Sequence, residues 1–278
     1  MRRVLSVLLA MVLSVAPAFA NVKDLKGFDK KVYDGALALY ASSHDLGIRD
    51  RFICTVQVIS KAGDRGYYLL GAGHCTPANP DLPKDMEFSV AEDINGSLTP
   101  VTLLQSAMNE PLDYAEYYLR TDKKYPVTPL GDEGDARIGD QTIDVNFSLA
   151  LGKFASNGRV SSKVAQSGEM KGFFGVDEFD SHGASGSSVV DKRTKKVIGI
   201  VIAGVDGATV STWVEPISVI KKELARVTLP RSTKPYVRSK SPVSVPSVDD
   251  SMPKLPVGTP ETAPAIGVVA DQNKHYDE

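Results

Sequence analysis

Three separated stretches carry residues able to do chemistry. In Ser181-His182-Gly183-Ala184-Ser185-Gly186-Ser187-Ser188-Val189-Val190, two glycines bracket Ser185 and an apolar β-branched run follows. Glycine lets the backbone take a tight turn that presents a hydroxyl outward and N–H groups inward. Such a loop can hold a serine nucleophile together with donors for the oxyanion that its attack creates. Leu69-Leu70-Gly71-Ala72-Gly73-His74-Cys75 is an apolar strand ending in small residues, so His74 leaves the core at a strand end, where an imidazole can serve as general base. Leu112-Asp113-Tyr114-Ala115-Glu116-Tyr117-Tyr118-Leu119 places an acid at the start of a largely apolar strand. A partly buried carboxylate there wants a donor such as an imidazole N–H. Singly, each fragment has an ordinary structural use: a strand-entry turn, a core histidine, a turn-forming aspartate after Pro111.

The order His74, Asp113, Ser185 is that of the chymotrypsin arrangement, not the Ser-Asp-His order of the α/β-hydrolases. With these motifs the chain resembles the trypsin-like (chymotrypsin-fold) serine peptidases, and among them the compact bacterial members of the HtrA and glutamyl-endopeptidase kind. Gly71-Ala72-Gly73-His74-Cys75 is similar to the family's histidine motif. Asp113-Tyr114-Ala115 followed by Leu119 resembles its aspartate motif, and Gly183-Ala184-Ser185-Gly186-Ser187 its nucleophile loop. Leu130-Gly131-Asp132, Ile138-Gly139-Asp140, Gly158-Arg159-Val160-Ser161 and Val197-Ile198-Gly199-Ile200-Val201 echo the second barrel of the bacterial members.

The resemblance implies an all-β fold of two packed six-stranded β-barrels with a cleft between them. Ser185 would be the nucleophile, His74 the base and Asp113 its orienting acid, with the N–H groups of Gly183 and Ser185 as the oxyanion hole. It also implies a disulfide between Cys54 and Cys75. Phe179 to His182 would form one wall of the primary pocket, and Ile202, Ala203 and Gly204 the other, which could also pair with a substrate strand. Asp180 would either select a basic side chain or face solvent as a loop acid; His182 would either touch substrate or stand by. Two departures bear on activation. Ala184 stands where activated zymogens of the family carry an acid, and the Ile-Val-Gly-Gly start is absent, so a site competent as folded is expected. No PDZ-type domain is expected to follow. The alternative is a catalytically inactive peptidase-fold binding module; an exported esterase is a third reading, disfavoured by the residue order.

The elements that must position these residues are short. Phe52–Ile59 and Tyr67–Ala72 read as strands around a Lys61–Gly66 turn. Further strands are expected at Met86–Ala91, Leu98–Gln105, Tyr114–Arg120, Gln141–Phe147, Gly158–Val164, Ser188–Val190, Val197–Ala203 and Thr209–Val214. A helix is expected over Pro216–Arg226, burying Ile217, Ile220 and Leu224. Residues 21–50 show near-helical spacing of Tyr33, Ala36, Leu37, Ala38, Leu39 and Tyr40, read as a packed N-terminal arm or short helix, or as a removable pro-segment.

Arg2 and Arg3, the apolar run Val4–Val15 and Ala18-Phe19-Ala20 form a secretory signal peptide over residues 1–20, an uncleaved anchor being the other reading. A periplasmic or secreted location follows, without stable membrane insertion after cleavage, where Cys54 and Cys75 can oxidise. Residues 51–229 form the expected peptidase domain. Beyond them lie eight of the chain's seventeen prolines, in a 230–278 tail expected to be disordered. The formal charge of −2 over 278 residues argues against a nucleic-acid partner. No His/Cys cluster has zinc-ligand spacing, so neither metal nor cofactor is expected, and the partner is a protein or peptide substrate. His44 and His275 are expected on the surface.

Overall fold

The computed structural model describes residues 25–109, 112–167, 171–178, 180–204 and 212–224. The expected signal peptide, the expected tail with His275, and Phe179 lie outside them. A helix, α1 (Gly27–Gly35), leads into β1 (Ala36–Ser43), β2 (Ile48–Lys61), β3 (Gly66–Gly71), β4 (Glu87–Ala91), β5 (Thr99–Asn109) and β6 (Leu112–Arg120). These six strands close into a barrel in the order β1-β2-β3-β6-β5-β4.

The second set is β7 (Gln141–Asn146), β8 (Phe154–Arg159), β9 (Phe174–Val176), β10 (Ser188–Asp191), β11 (Lys196–Gly204) and β12 (Thr212–Pro216), followed by α2 (Ile217–Leu224). It forms a six-stranded sheet, β8-β7-β10-β11-β12-β9, whose two ends meet at an antiparallel bridge between Val160 and Val176. The all-β, two-barrel expectation is met. None of the described helices is long and apolar enough to cross a membrane.

Three elements differ from expectation. Ala36–Tyr40 belongs to β1, a strand of the first barrel, so that barrel begins ahead of residue 51 and takes in part of the expected arm. Leu37 and Leu39 fill the barrel interior, while Ala36 packs on the inter-barrel core and Ala38 and Tyr40 against Phe147. A strand buried on both faces has no polar alternation, and its apolar run imitates a helix. Removing residues 36–43 as a pro-segment would open the barrel. The eighth strand lies at Phe154–Arg159, earlier than the expected Gly158–Val164, and the short β9 escaped the pattern because its three residues carry no period.

Each barrel has its own core. Leu37, Val56, Leu69, Tyr117 and Leu119 fill the first; Val176, Val189, Ile198, Val201 and Val214 fill the second. Between them, Val32, Ile59, Leu70 and Tyr114 meet Ile143, Val190, Ile200, Ile217 and Ile220 in a shared apolar layer. At roughly 1.5–3 kcal/mol per fully buried aliphatic side chain, this layer makes the groove between the barrels a rigid feature. α2 presents Ile217 and Ile220 to it as expected, with Leu224 partly buried beside them.

Candidate active site

His74 follows β3 within a single 3₁₀ turn, Gly73–Cys75. Gly73 makes that turn possible: a Cβ there would lie 1.9 Å from the Ala107 carbonyl oxygen and 2.9 Å from that of Tyr114. Only a bare backbone can pack so closely on β5 and β6, and it sets His74 directly over the start of β6. The His74 backbone N–H donates to Asp113 Oδ1 at 2.8 Å, and the ring Nδ1 lies 2.7 Å from Asp113 Oδ2. A carboxylate only accepts, so Nδ1 carries the proton and Nε2 keeps its lone pair toward the groove. Both side chains are about one-fifth exposed.

Asp113 is itself held by the second barrel. Its backbone N–H donates to Glu215 Oε2 on β12 at 2.8 Å. Glu215 is fully buried, and burial first, then the nearby Asp113 charge, push its carboxyl up to about 8. Sequence reasoning missed this residue, because an acid in Thr212–Pro216 carries no motif. Its one signal is a charge inside an otherwise apolar strand.

Ser185 sits on a turn built from backbone. Gly183 and Gly186 have φ of +98° and +81°, in the region that L side chains avoid. A Cβ on Gly183 would meet the Phe147 carbonyl oxygen at 2.7 Å and the Phe52 ring at 2.8 Å; one on Gly186 would meet the Thr55 carbonyl oxygen at 2.5 Å and the Ala72 nitrogen at 2.6 Å. The turn is therefore pressed onto the strand ends next to His74. Thr55 of β2 clasps it: its N–H donates to the Ser185 carbonyl at 3.0 Å, and its hydroxyl donates to the Gly183 carbonyl at 2.7 Å while accepting from Phe147 N–H at 3.2 Å.

The His182 carbonyl accepts from Leu149 N–H at 2.6 Å. A trans peptide points its C=O and N–H in opposite directions, so the Gly183 N–H faces away from Leu149. The N–H groups of Ala184, Gly186 and Ser187 are satisfied by Ser181, Val201 and Ala184 carbonyls, whereas those of Gly183 and Ser185 have no backbone acceptor among the described residues. Leu149 and Ala150 adopt left-handed φ of 57° and 53°, a local strain held beside this turn. Ala184 is buried in the second barrel's core, which has no room for the acid that zymogens carry.

Cys54 and Cys75 form the disulfide, with Cα atoms 6.6 Å apart, fastening β2 to the histidine turn. The pocket residues divide. His182 is exposed, Ile202 half-buried and Ala203 exposed, and Gly204 pairs with Thr212. Beyond β10, the segment pairs with β11 as far as Val201, which bonds to Gly186 and Ser187, and on that side Ile202–Gly204 have no strand partner among the described residues. Asp180 does not face solvent as a loop acid: its carboxylate turns inward, takes an amide hydrogen from Asn146 at 3.0 Å, and is pushed up to about 6 by burial. His44 is exposed, as expected.

Two rolled six-stranded sheets with a His-Asp pair and a glycine-bracketed serine turn in the groove between them define the chymotrypsin-like class of serine peptidase folds. The trypsin-like peptidase domain model matches residues 54–200, and the chain belongs to that family of serine peptidases. Among solved structures, a serine endoprotease from Yersinia pestis shares the fold with a TM-score of 0.54 at 19% identity, over 72% of this chain. The chain spans 66% of that protein's length. No curated protein matches in sequence.

Proposed function

We propose that the chain is an exported serine endopeptidase acting through His74, Asp113 and Ser185. The observation that carries this reading is the two-point grip of Asp113 on His74, at 2.7 and 2.8 Å, beside a serine turn docked on the same strand ends. The Ser185 hydroxyl oxygen attacks the substrate carbonyl as its proton passes to His74 Nε2. Asp113 holds the tautomer and steadies the imidazolium. The N–H groups of Gly183 and Ser185 receive the oxyanion. Collapse breaks the C–N bond, the proton passes to the leaving amine, and an acyl-serine remains. Water, deprotonated by the same imidazole, then cleaves the ester and restores the hydroxyl. The open edge at Ile202–Gly204 suits substrate bound as an added strand. Export rests on the N-terminal signal pattern, and the disulfide fits an oxidising compartment.

A fluorophosphonate probe tests the reading. Wild-type protein is expected to be labelled covalently, and labelling to vanish in Ser185→Ala and His74→Ala. A folded wild type that takes no label would make the chain a binding module on the peptidase fold. Sequencing the cleavage products of one denatured protein would then give the pocket preference.

A further inference from the structure

Away from the His-Asp pair, the second barrel encloses three carboxylates. Asp144 of β7 is fully buried, Glu178 is 1% exposed, and the Asp180 carboxylate is turned in beside them. Ligand atoms from the three side chains all lie within 4.8 Å of one another. Among the described residues, the neighbours that act on them most are a further acid, Asp177, and neutral amides and hydroxyls, with no lysine or arginine. Three negative charges so close in a dry interior are mutually destabilising unless something positive joins them. Burial first, and then the neighbouring acids, raise Asp144 and Glu178 well above the ordinary carboxylate range.

The arrangement is specific in its detail. The Asn146 amide donates to one oxygen of Asp144 and one of Asp180, which leaves Asp144 Oδ1 and Asp180 Oδ2 without partners. Both Glu178 oxygens are likewise unpartnered. Two neutral side chains add an independent sign. The Thr142 and Ser187 hydroxyls are completely buried, stand against Glu178 and Asp144 respectively, and make no well-formed hydrogen bond. Six oxygens of these five side chains therefore keep spare lone pairs, while an amide holds two of the carboxylates in place, as outer partners do around a bound ion.

We propose that Asp144, Glu178 and Asp180 bind one calcium-sized divalent cation, with the Thr142 and Ser187 hydroxyls in its oxygen shell. Calcium takes 6–8 oxygen ligands at about 2.3–2.6 Å, so ligands on opposite sides of one ion stand about 5 Å apart, and ligand atoms lying within 4.8 Å of one another are close enough to share one ion. An all-oxygen, carboxylate-rich donor set favours a hard cation over zinc or copper. The other triad of candidate ligands, Cys54, His74 and Cys75, has no thiolate to offer, since its sulfurs are joined. A surface cleft of about 450 Å³, lined also by Arg159, Asp177 and Lys192, shares Thr142 and Gly158 with the wall around Glu178. The free carboxylate oxygens are closed to solvent, which suits a single ion better than the long side chain of a substrate. A cation here would tie β7 to the segment that runs from Glu178 into the Ser185 turn.

The test uses the mature chain carrying Ser185→Ala, which cannot digest itself, stripped with a chelator. Its outcome therefore does not depend on whether the peptidase reading holds. Added CaCl₂ at about 100 times its dissociation constant is expected to raise the melting temperature by about 5–10 °C, and equal MgCl₂ by less. Tb³⁺ titration is expected to give saturable luminescence that Ca²⁺ displaces. Asp180→Asn and Glu178→Gln are each expected to weaken both responses at least tenfold; Asp180→Asn keeps the contact to Asn146 in case the buried glutamate change unfolds the chain. A melting temperature indifferent to Ca²⁺ that climbs steadily as pH falls from 7 to 5 would overturn the proposal in favour of shared protons. Protection by a guanidinium ligand but not by Ca²⁺ would overturn it in favour of a substrate side chain.

Discussion

The first barrel holds its share of the site with a closed sheet, a covalent tie between Cys54 and Cys75, and a carboxylate gripping both ends of one histidine. The second holds Ser185 on a turn of unusual backbone angles, clasped from outside by Thr55 and backed by acids that lack counter-charges. Ionised carboxylates need partners to tolerate burial, and Asp144, Glu178 and Asp180 have no cationic partner among the described residues. His74 is thus held by contacts within the first barrel, whereas the Ser185 turn lies beside buried acids raised above the ordinary carboxylate range. Placement of the two halves on one another is left to the apolar layer and to contacts such as Glu215 with Asp113.

The strongest way to break this comparison is to remove one member from each side. Ser185→Ala and His74→Ala are each expected to lower the cleavage rate by about 10⁴-fold or more without changing the melting curve. Near-normal digestion of a denatured protein by either variant would end the assignment of both barrels to one reaction. Gly183→Ala tests the backbone half alone. The new methyl group must enter the space of the Phe147 carbonyl and the Phe52 ring, so turnover should fall by about 10²–10³-fold, a loss in kcat rather than KM. An unchanged kcat would show that the turn is not the oxyanion site.

Reduction of Cys54–Cys75 probes the first barrel, and about 3 kcal/mol of unfolding free energy should be lost. A denaturation midpoint unaffected by reductant would refute that. Glu215→Gln sharpens the pH contrast. Because burial raises its folded-state pKa, the native protein keeps a proton that the unfolded chain releases; the associated stability is complete below about 4.5 and is lost as pH rises through about 8. Between those values the Glu215 contribution should decline by about 1.4 kcal/mol per pH unit, and Glu215→Gln, whose amide oxygen can still accept from Asp113, should flatten that slope. An unaltered pH profile of the melting temperature would place the charge elsewhere. The smallest effect is expected from Thr55→Val, which removes one hydroxyl bridge and should cost about 1 kcal/mol, read as a severalfold drop in kcat.

Much of the site was legible before any fold was known, for reasons particular residues show. Gly73 and Gly186 stand where no Cβ fits, and their presence beside His74 and Ser185 gave those motifs their shape. Strands with a wetter face, such as Thr99–Asn109, announced themselves by composition. Ala36–Tyr40 did not, because burial on both faces erases the alternation that marks a strand. Of the two readings of Asp180, the solvent-facing one fails for the converse reason: a polar residue in a glycine-rich stretch looks solvated until the chain folds Asn146 against it.

Local chemistry along the chain determined which side chains were available: a hydroxyl between two glycines, an imidazole at a strand end, an acid after a proline, and two cysteines for one bond. Only tertiary structure decided who meets whom. Asp113 reaching both the ring and the backbone of His74, Glu215 holding Asp113 from the other barrel, and Asp144 facing Glu178 and Asp180 are pairings between distant segments. They arise because sheet closure and a shared apolar layer fix positions that no local propensity encodes, and a buried charge takes its meaning from the groups that surround it.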